Sequence, residues 1–265
     1  MNYGGISQYA FVQNSYKKFF SYFGFKNNFY AINNLYPSFP FEKASYELEK
    51  AHYELGKKHY ELERSKNIDF FITSDFLNQF VLPSAVLEIE NEEIINLTKE
   101  IFFSLLNFDL LKDIKISILN EWDFKKNYVK LVGQWHPGIL GFSINRCGFG
   151  ISEIFVLKSD AIRTLLVIGH EIGHVLTPTL ENHLNEEAKA FAFGLAWARK
   201  IKEKNIFNLS INLGEPAKNG LHNAAFNWVI DKIVSGFEPL KLYEALIKGE
   251  INVKPILEYL ICQRK

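Results

Sequence analysis

The sequence predicts an α+β fold, and three observations predict it. Apolar residues recur at three- and four-residue steps in Ile94, Ile95, Leu97, Ile101, Phe102, Leu105 and Leu106, one broad face of an amphipathic helix. A second kind of run alternates: Ile114-Lys115-Ile116-Ser117-Ile118 has the period of a strand buried on one side. Near the middle, Thr164-Leu165-Leu166-Val167-Ile168-Gly169 leads into His170-Glu171-Ile172-Gly173-His174, a mostly apolar helix that nevertheless carries two histidines and a glutamate. A small mixed sheet beside a buried polar-bearing helix is the expectation.

The bulk numbers leave that class room. At 265 residues the chain forms one large domain or two modest ones, with 48% hydrophobic and 23% charged residues. Thirty basic and thirty acidic residues give a net charge of +0, so no global field favours nucleic acid or an anionic membrane. Two cysteines, Cys147 and Cys262, make no disulfide framework, and no run of 18 apolar residues is present. The first residues show no charged segment followed by an apolar core, so no secretory signal is expected and a cytoplasmic location is.

In chain order, residues 1–41 are dense in aromatics. Tyr9, Val12, Tyr16, Phe19, Phe20 and Phe23 fall at helical steps and are expected to pack onto the rest of the molecule. Tyr46-Glu47-Leu48, Tyr53-Glu54-Leu55 and Tyr60-Glu61-Leu62 then recur every seven residues, a coiled-coil-like seam able to form a helical arm or a homo-oligomer contact over 43–64. Residues 1–90 thus read as an N-terminal extension and 91–265 as the main domain. After the helix at 91–107, β-like runs are expected at 114–118, 128–132, 139–144 and 151–157, with Trp135-His136-Pro137-Gly138 as a turn between strands. Ser159 or Asp160 can cap the motif helix, which ends before Pro178. Asn182 or Asn185 can cap a next helix reaching about Lys204. Residues 208–220 read as loop, 221–234 as helix and 238–264 as one or two short helices.

The five-residue motif carries the chemistry. Positions i and i+4 share a helix face, so His170 and His174 can reach one metal ion. Glu171 lies about 100° around the helix, where it can act on a water beside that ion without being a ligand. Zinc suits imidazole and carboxylate donors and, with three protein ligands, keeps one position open. A third ligand is therefore expected downstream. No Asp or Cys lies between 175 and 230, which leaves Glu181, His183, Glu186 and Glu187 nearby. Glu181 and His183 fall in the connection, whereas Glu186 and Glu187 open the next helix. Glu187 is preferred, because Ala190, Gly194 and Ala198 follow it as a small-residue stripe that lets two helices approach closely; Glu186 is the alternate.

With these residues in view, the chain resembles the gluzincin metallopeptidases, which combine H-E-x-x-H with a glutamate from a following helix. It is most similar to the ImmA/IrrE-type domain, through Glu187-Ala188-Lys189-Ala190-Phe191-Ala192-Phe193-Gly194 and the preceding strand Ile154-Phe155-Val156-Leu157. The resemblance covers roughly residues 150–198. It implies a zincin-like fold and a zinc-dependent peptidase with Glu171 as general base, acting on a protein or peptide. It departs at Phe191, where gluzincins carry Asp or Asn supporting the ligands. Gluzincins also often add a Tyr or His that stabilises an oxyanion; His222 is the candidate here, set against a plain surface or capping role. The strand at 151–157 is expected to be an edge that aligns an extended substrate. Arg146-Cys147-Gly148 looks like the core of a cysteine switch, set against a buried structural cysteine. Two other functions compete: a non-catalytic zinc-containing regulatory module, and an oligomeric scaffold built on residues 43–64.

Overall fold

The computed structural model describes residues 89–147, 149–206 and 220–253, together with the two-residue strands at 80–81 and 210–211. The aromatic segment, the heptad repeat over 43–64 and Cys262 lie outside the described residues. In chain order the elements are β1 (Phe80–Val81), α1 (Asn91–Leu106), β2 (Ile114–Leu119), α2 (Glu121–Leu131), β3 (Gly141–Ile144) and β4 (Ser152–Leu157). They continue with α3 (Ala161–Val175), α4 (His183–Glu203), β5 (Ser210–Ile211), α5 (Gly220–Val234) and α6 (Pro239–Ile247). The fold is α+β, six helices around a small mixed sheet, among the described residues.

The sheet runs in the order β2-β4-β3. β2 lies parallel to β4, Ile114 opposite Ser152 through Leu119 opposite Leu157, while β3 is antiparallel to it, Gly141 opposite Val156 and Ile144 opposite Glu153. This corrects the expectation for 151–157. β4 is the central strand, hydrogen-bonded on both sides, and its Ile154-Phe155-Val156 is buried on both faces, as continuous apolar runs in central strands are. The edge beside the motif helix is β3. β1 and β5 form a separate antiparallel pair, so part of the expected loop at 208–220 is strand.

A second correction concerns 128–132. These residues are not a strand; Tyr128 to Leu131 end α2, and Val132 is its C-cap. Asn120 caps that helix by accepting from the Asp123 N–H at 2.9 Å, and Phe124 and Tyr128, four apart, bury one face. Five alternating residues were too short a window to outweigh that cap and that pair. Phe124 and Tyr128 meet Ile139, Phe142 and Phe155 in a small separate core, and Trp135 packs edge-on to both rings, so 135–138 turns from α2 into β3.

The main core surrounds α3 and α4. Every residue of α3 but Arg163 is buried, between the β3/β4 face and α4. α4 is buried nearly all round from Leu184 to Ala198, enclosed by α3, α1, α5 and α6. A helix covered on all sides can be apolar at every angle, which is why this stretch shows little amphipathic signal. The small-residue stripe works as expected. A Cβ on Gly173 would stand 2.9 Å from the Ala190 Cα, and one on Gly194 would stand 3.6 Å from the His170 Cα. No helix among the described residues is long and apolar enough to cross a membrane.

Candidate metal centre

α3 starts where Asp160 accepts from the Arg163 N–H at 2.9 Å, and α4 where Asn182 accepts from the Leu184 and Asn185 N–H groups at 2.9 and 3.1 Å. The connection between them is held from outside. Asn145, just past β3, donates through Nδ2 to the His174 carbonyl at 2.8 Å and to the Thr177 carbonyl at 2.7 Å. The end of the motif helix and the first residues of the connection after it are thereby tied to the end of β3.

On those two helices, His170, His174 and Glu187 are all buried, and one ligand atom from each lies within 4.8 Å of the others. The two imidazole Nε2 atoms are 3.2 Å apart. Glu187 Oε2 is 3.7 Å from His170 Nε2, and its Oε1 is 3.9 Å from His174 Nε2. Donors at roughly 2.0–2.1 Å from a tetrahedral ion stand about 3.3–3.4 Å apart, so the three separations fit one coordination sphere with small adjustments. The chemistry fits as well. Neither Glu187 oxygen has a hydrogen-bond partner among the described residues, which a buried carboxylate tolerates only if something else meets its charge. Two nitrogens and one oxygen make a zinc-compatible donor set.

Glu186 takes a different role from its neighbour. Its Oε1 lies 2.9 Å from His174 Nδ1, its Oε2 accepts from the Leu180 N–H at 2.7 Å, and Lys189 Nζ lies 2.8 Å from the same oxygen. Lys189 is fully buried and also donates to the Pro178 carbonyl at 3.2 Å. Burial pushes the Glu186 carboxyl up, but Lys189, His174 and the Leu180 N–H outweigh it and hold the group below its ordinary value. An ionised Glu186 only accepts, so His174 Nδ1–H donates to it and Nε2 keeps a lone pair for a ligand. Carboxylate–imidazole pairs of this kind orient metal-ligating histidines. The support that Phe191 cannot supply thus reaches His174 from Glu186. Phe191 itself lies against His170, ring centroids 4.7 Å apart.

Glu171 is buried and stands apart from the ligand set. β3 passes directly over it: a Cβ built on Gly141 would be 2.9 Å from Glu171 Oε1 and 2.4 Å from Val167 Cγ1. Burial, opposed chiefly by His174, pushes its carboxyl up to about 7. His170 is driven well below its ordinary value by burial, then by His174 and His222. His174 moves the other way: burial pulls it down, and Glu186 and Glu187 more than restore it.

His222 is not a surface residue. It is 6% exposed, near the start of α5, with Nε2 3.3 Å from Glu187 Oε1. Cys147 sits half-buried in the β3–β4 connection with φ 51. The sequence reading missed Lys189 and Asn145. Lys189 was legible as the i+3 partner of Glu186; Asn145 sits 29 residues from His174 and carries no local signal. Set against known proteins, the chain matches no family model, no curated protein and no solved structure.

Proposed function

We propose that this protein is a zinc-dependent metallopeptidase of the gluzincin kind, with a zincin-like domain most similar in its motifs to the ImmA/IrrE type. One observation carries the reading: His170, His174 and Glu187 converge within one coordination sphere while a fourth polar side chain, Glu171, lies buried next to them and outside it. A structural zinc site uses four protein ligands; three plus a free carboxylate is the pattern of a catalytic one. Zinc bound there supplies a Lewis acid and lowers the pKa of water towards about 7.

The chain's own residues do the rest. Glu171 takes a proton from the attacking water at its carboxylate and returns it to the leaving amine. In the metal-free chain burial raises its affinity for a proton, and a bound cation would favour its ionised, proton-accepting form. Glu186, held by Lys189 and the Leu180 N–H, keeps His174 in the Nδ1–H tautomer. β3, the sheet edge over Glu171, has its outer side unpaired among the described strands and can align an extended peptide by strand addition.

The test is metal analysis of the purified full chain together with hydrolysis of a broad panel of proteins and peptides. One zinc per chain with hydrolysis that a chelator abolishes supports the reading. A wild-type chain that retains zinc and cleaves nothing across the panel is a regulatory zinc module instead.

A further inference from the structure

The ligand carboxylate differs from His174 in one respect. His174 is anchored by Glu186, which is itself held by Lys189 and the Leu180 N–H. Glu187 gets nothing comparable from its own helix: one turn on, Phe191 presents a ring that packs on His170 and edge-on to Phe226 at 5.4 Å. A buried carboxylate with four lone-pair sites and no orienting donor can bind through either oxygen or rotate between them. What approaches it comes from another part of the chain. His222 on α5 lies edge-on to Phe191 at 6.5 Å and brings Nε2 to 3.3 Å from Glu187 Oε1. The other oxygen, Oε2, is the one nearer His170 Nε2, while Oε1 also lies 3.9 Å from His174 Nε2.

We propose that His222 is a positioning residue for the metal ligand Glu187: its Nε2, 3.3 Å from Oε1 though outside hydrogen-bond geometry in the metal-free chain, is the donor that takes up Oε1 and leaves Oε2 for the site shared with His170 and His174. This rests on the three-ligand reading of the metal site. It makes the α4–α5 contact part of the metal site, though α5 contributes no ligand. It also places the support for the two arms of the site on different elements, Glu186 of α4 for His174 and His222 of α5 for Glu187. Orienting partners of metal ligands are worth about 10–100-fold in metal affinity.

The experiment is competition for zinc against a chromophoric chelator, with cobalt(II) absorption spectra alongside, on the full-length wild type and on His222→Ala, His222→Gln, His222→Leu and Glu187→Gln. Gln and Leu are close in size, and only Gln retains an N–H donor. The expected result is a 10–100-fold weaker zinc affinity for the Ala and Leu variants, an altered cobalt spectrum, and partial recovery with Gln. Should the Ala variant fail to fold, the Gln–Leu pair decides. Equal zinc affinity and identical cobalt spectra for Gln and Leu overturn the proposal. So does a variant that loses hydrolysis while binding zinc as tightly as wild type, which would place His222 on the substrate. If the wild type takes up neither metal, and Glu187→Gln is indistinguishable from it, the metal site itself is wrong and this proposal falls with it.

Discussion

Two adjacent glutamates, Glu186 and Glu187, divide the work at the residue scale, and their division is testable. Glu187 faces the two Nε2 atoms, whereas Glu186 faces the far nitrogen of His174 and a buried lysine. Glu187→Gln is expected to strip the metal. Glu186→Gln should retain it at roughly 10–100-fold weaker affinity, because it removes an orienting partner and not a ligand. Chelator competition separates the two; a Glu186 variant without metal beside a metal-loaded Glu187 variant would reverse the assignment. Glu171→Gln gives a different signature. With zinc bound, metal content should hold while hydrolysis falls about 10²–10⁴-fold, the usual worth of a positioned general base. In the metal-free chain the same change acts on stability. Glu171 has a folded pKa of about 7 against 4.5 unfolded, so the stability it contributes is fully present below 4.5 and is lost as pH rises through 7. Glu171→Gln should therefore raise the melting temperature of metal-free protein at pH 8, and raise it less or not at all at pH 5. Melting curves at both values check the sign. The motif pair and Glu171 were legible because i, i+4 spacing is a local property of a helix. The contacts of Glu186 and His222 were not, since they depend on which way α4 turns and on where α5 returns.

At the scale of elements, the close approach of α3 and α4 decides whether the ligands meet. Gly173 faces the backbone of Ala190, where an added Cβ would sit 2.9 Å from Cα and 3.1 Å from the carbonyl oxygen. Backbone cannot swing away as a side chain can. Gly173→Ala is therefore expected to push the helices apart, to destabilise the fold by about 1–3 kcal/mol, and to weaken zinc binding because His174 is the next residue. Gly194→Ala is its control: the new Cβ would meet only ordinary contacts near 3.6 Å, and its effect should be small. Denaturant titration and metal competition on both variants measure this, and equal losses at the two glycines would mean that helix spacing does not govern the site. The small-residue stripe made this packing readable in advance, since Ala190, Gly194 and Ala198 line up within one helix. Sheet order was not readable. Strand β4 and the segment ending α2 are both short apolar runs with β-branched residues, and only tertiary partners separate a central strand from an edge or a helix end.

Across the whole molecule, if the centre takes the proposed metal, its buried charges make metal occupancy and folding one equilibrium. His170, Glu171, His174, Glu186, Glu187 and Lys189 all lie in the interior, and only Glu186 and Lys189 form a close ion pair of fixed charge. His170 is held neutral by burial, so the stability it contributes is present above its unfolded pKa near 6.5 and is lost as pH falls below it. Glu171 works in the opposite sense, which leaves the metal-free chain stressed at both ends of the range. The two Nε2 atoms and the Glu187 carboxylate face one another closely enough for one cation to meet all three. A ligand that binds the folded chain alone stabilises it by RT ln(1 + [L]/Kd), so each tenfold rise in free zinc above Kd should add about 1.4 kcal/mol. Melting temperature measured in zinc buffers spanning several decades should therefore climb steadily once Kd is passed. His170→Ala should flatten that dependence, because one of three ligands is gone. A wild-type melting temperature that does not change across those decades would mean that the buried cluster carries its charges without metal, and the His170–His174–Glu187 site would lose its physical basis.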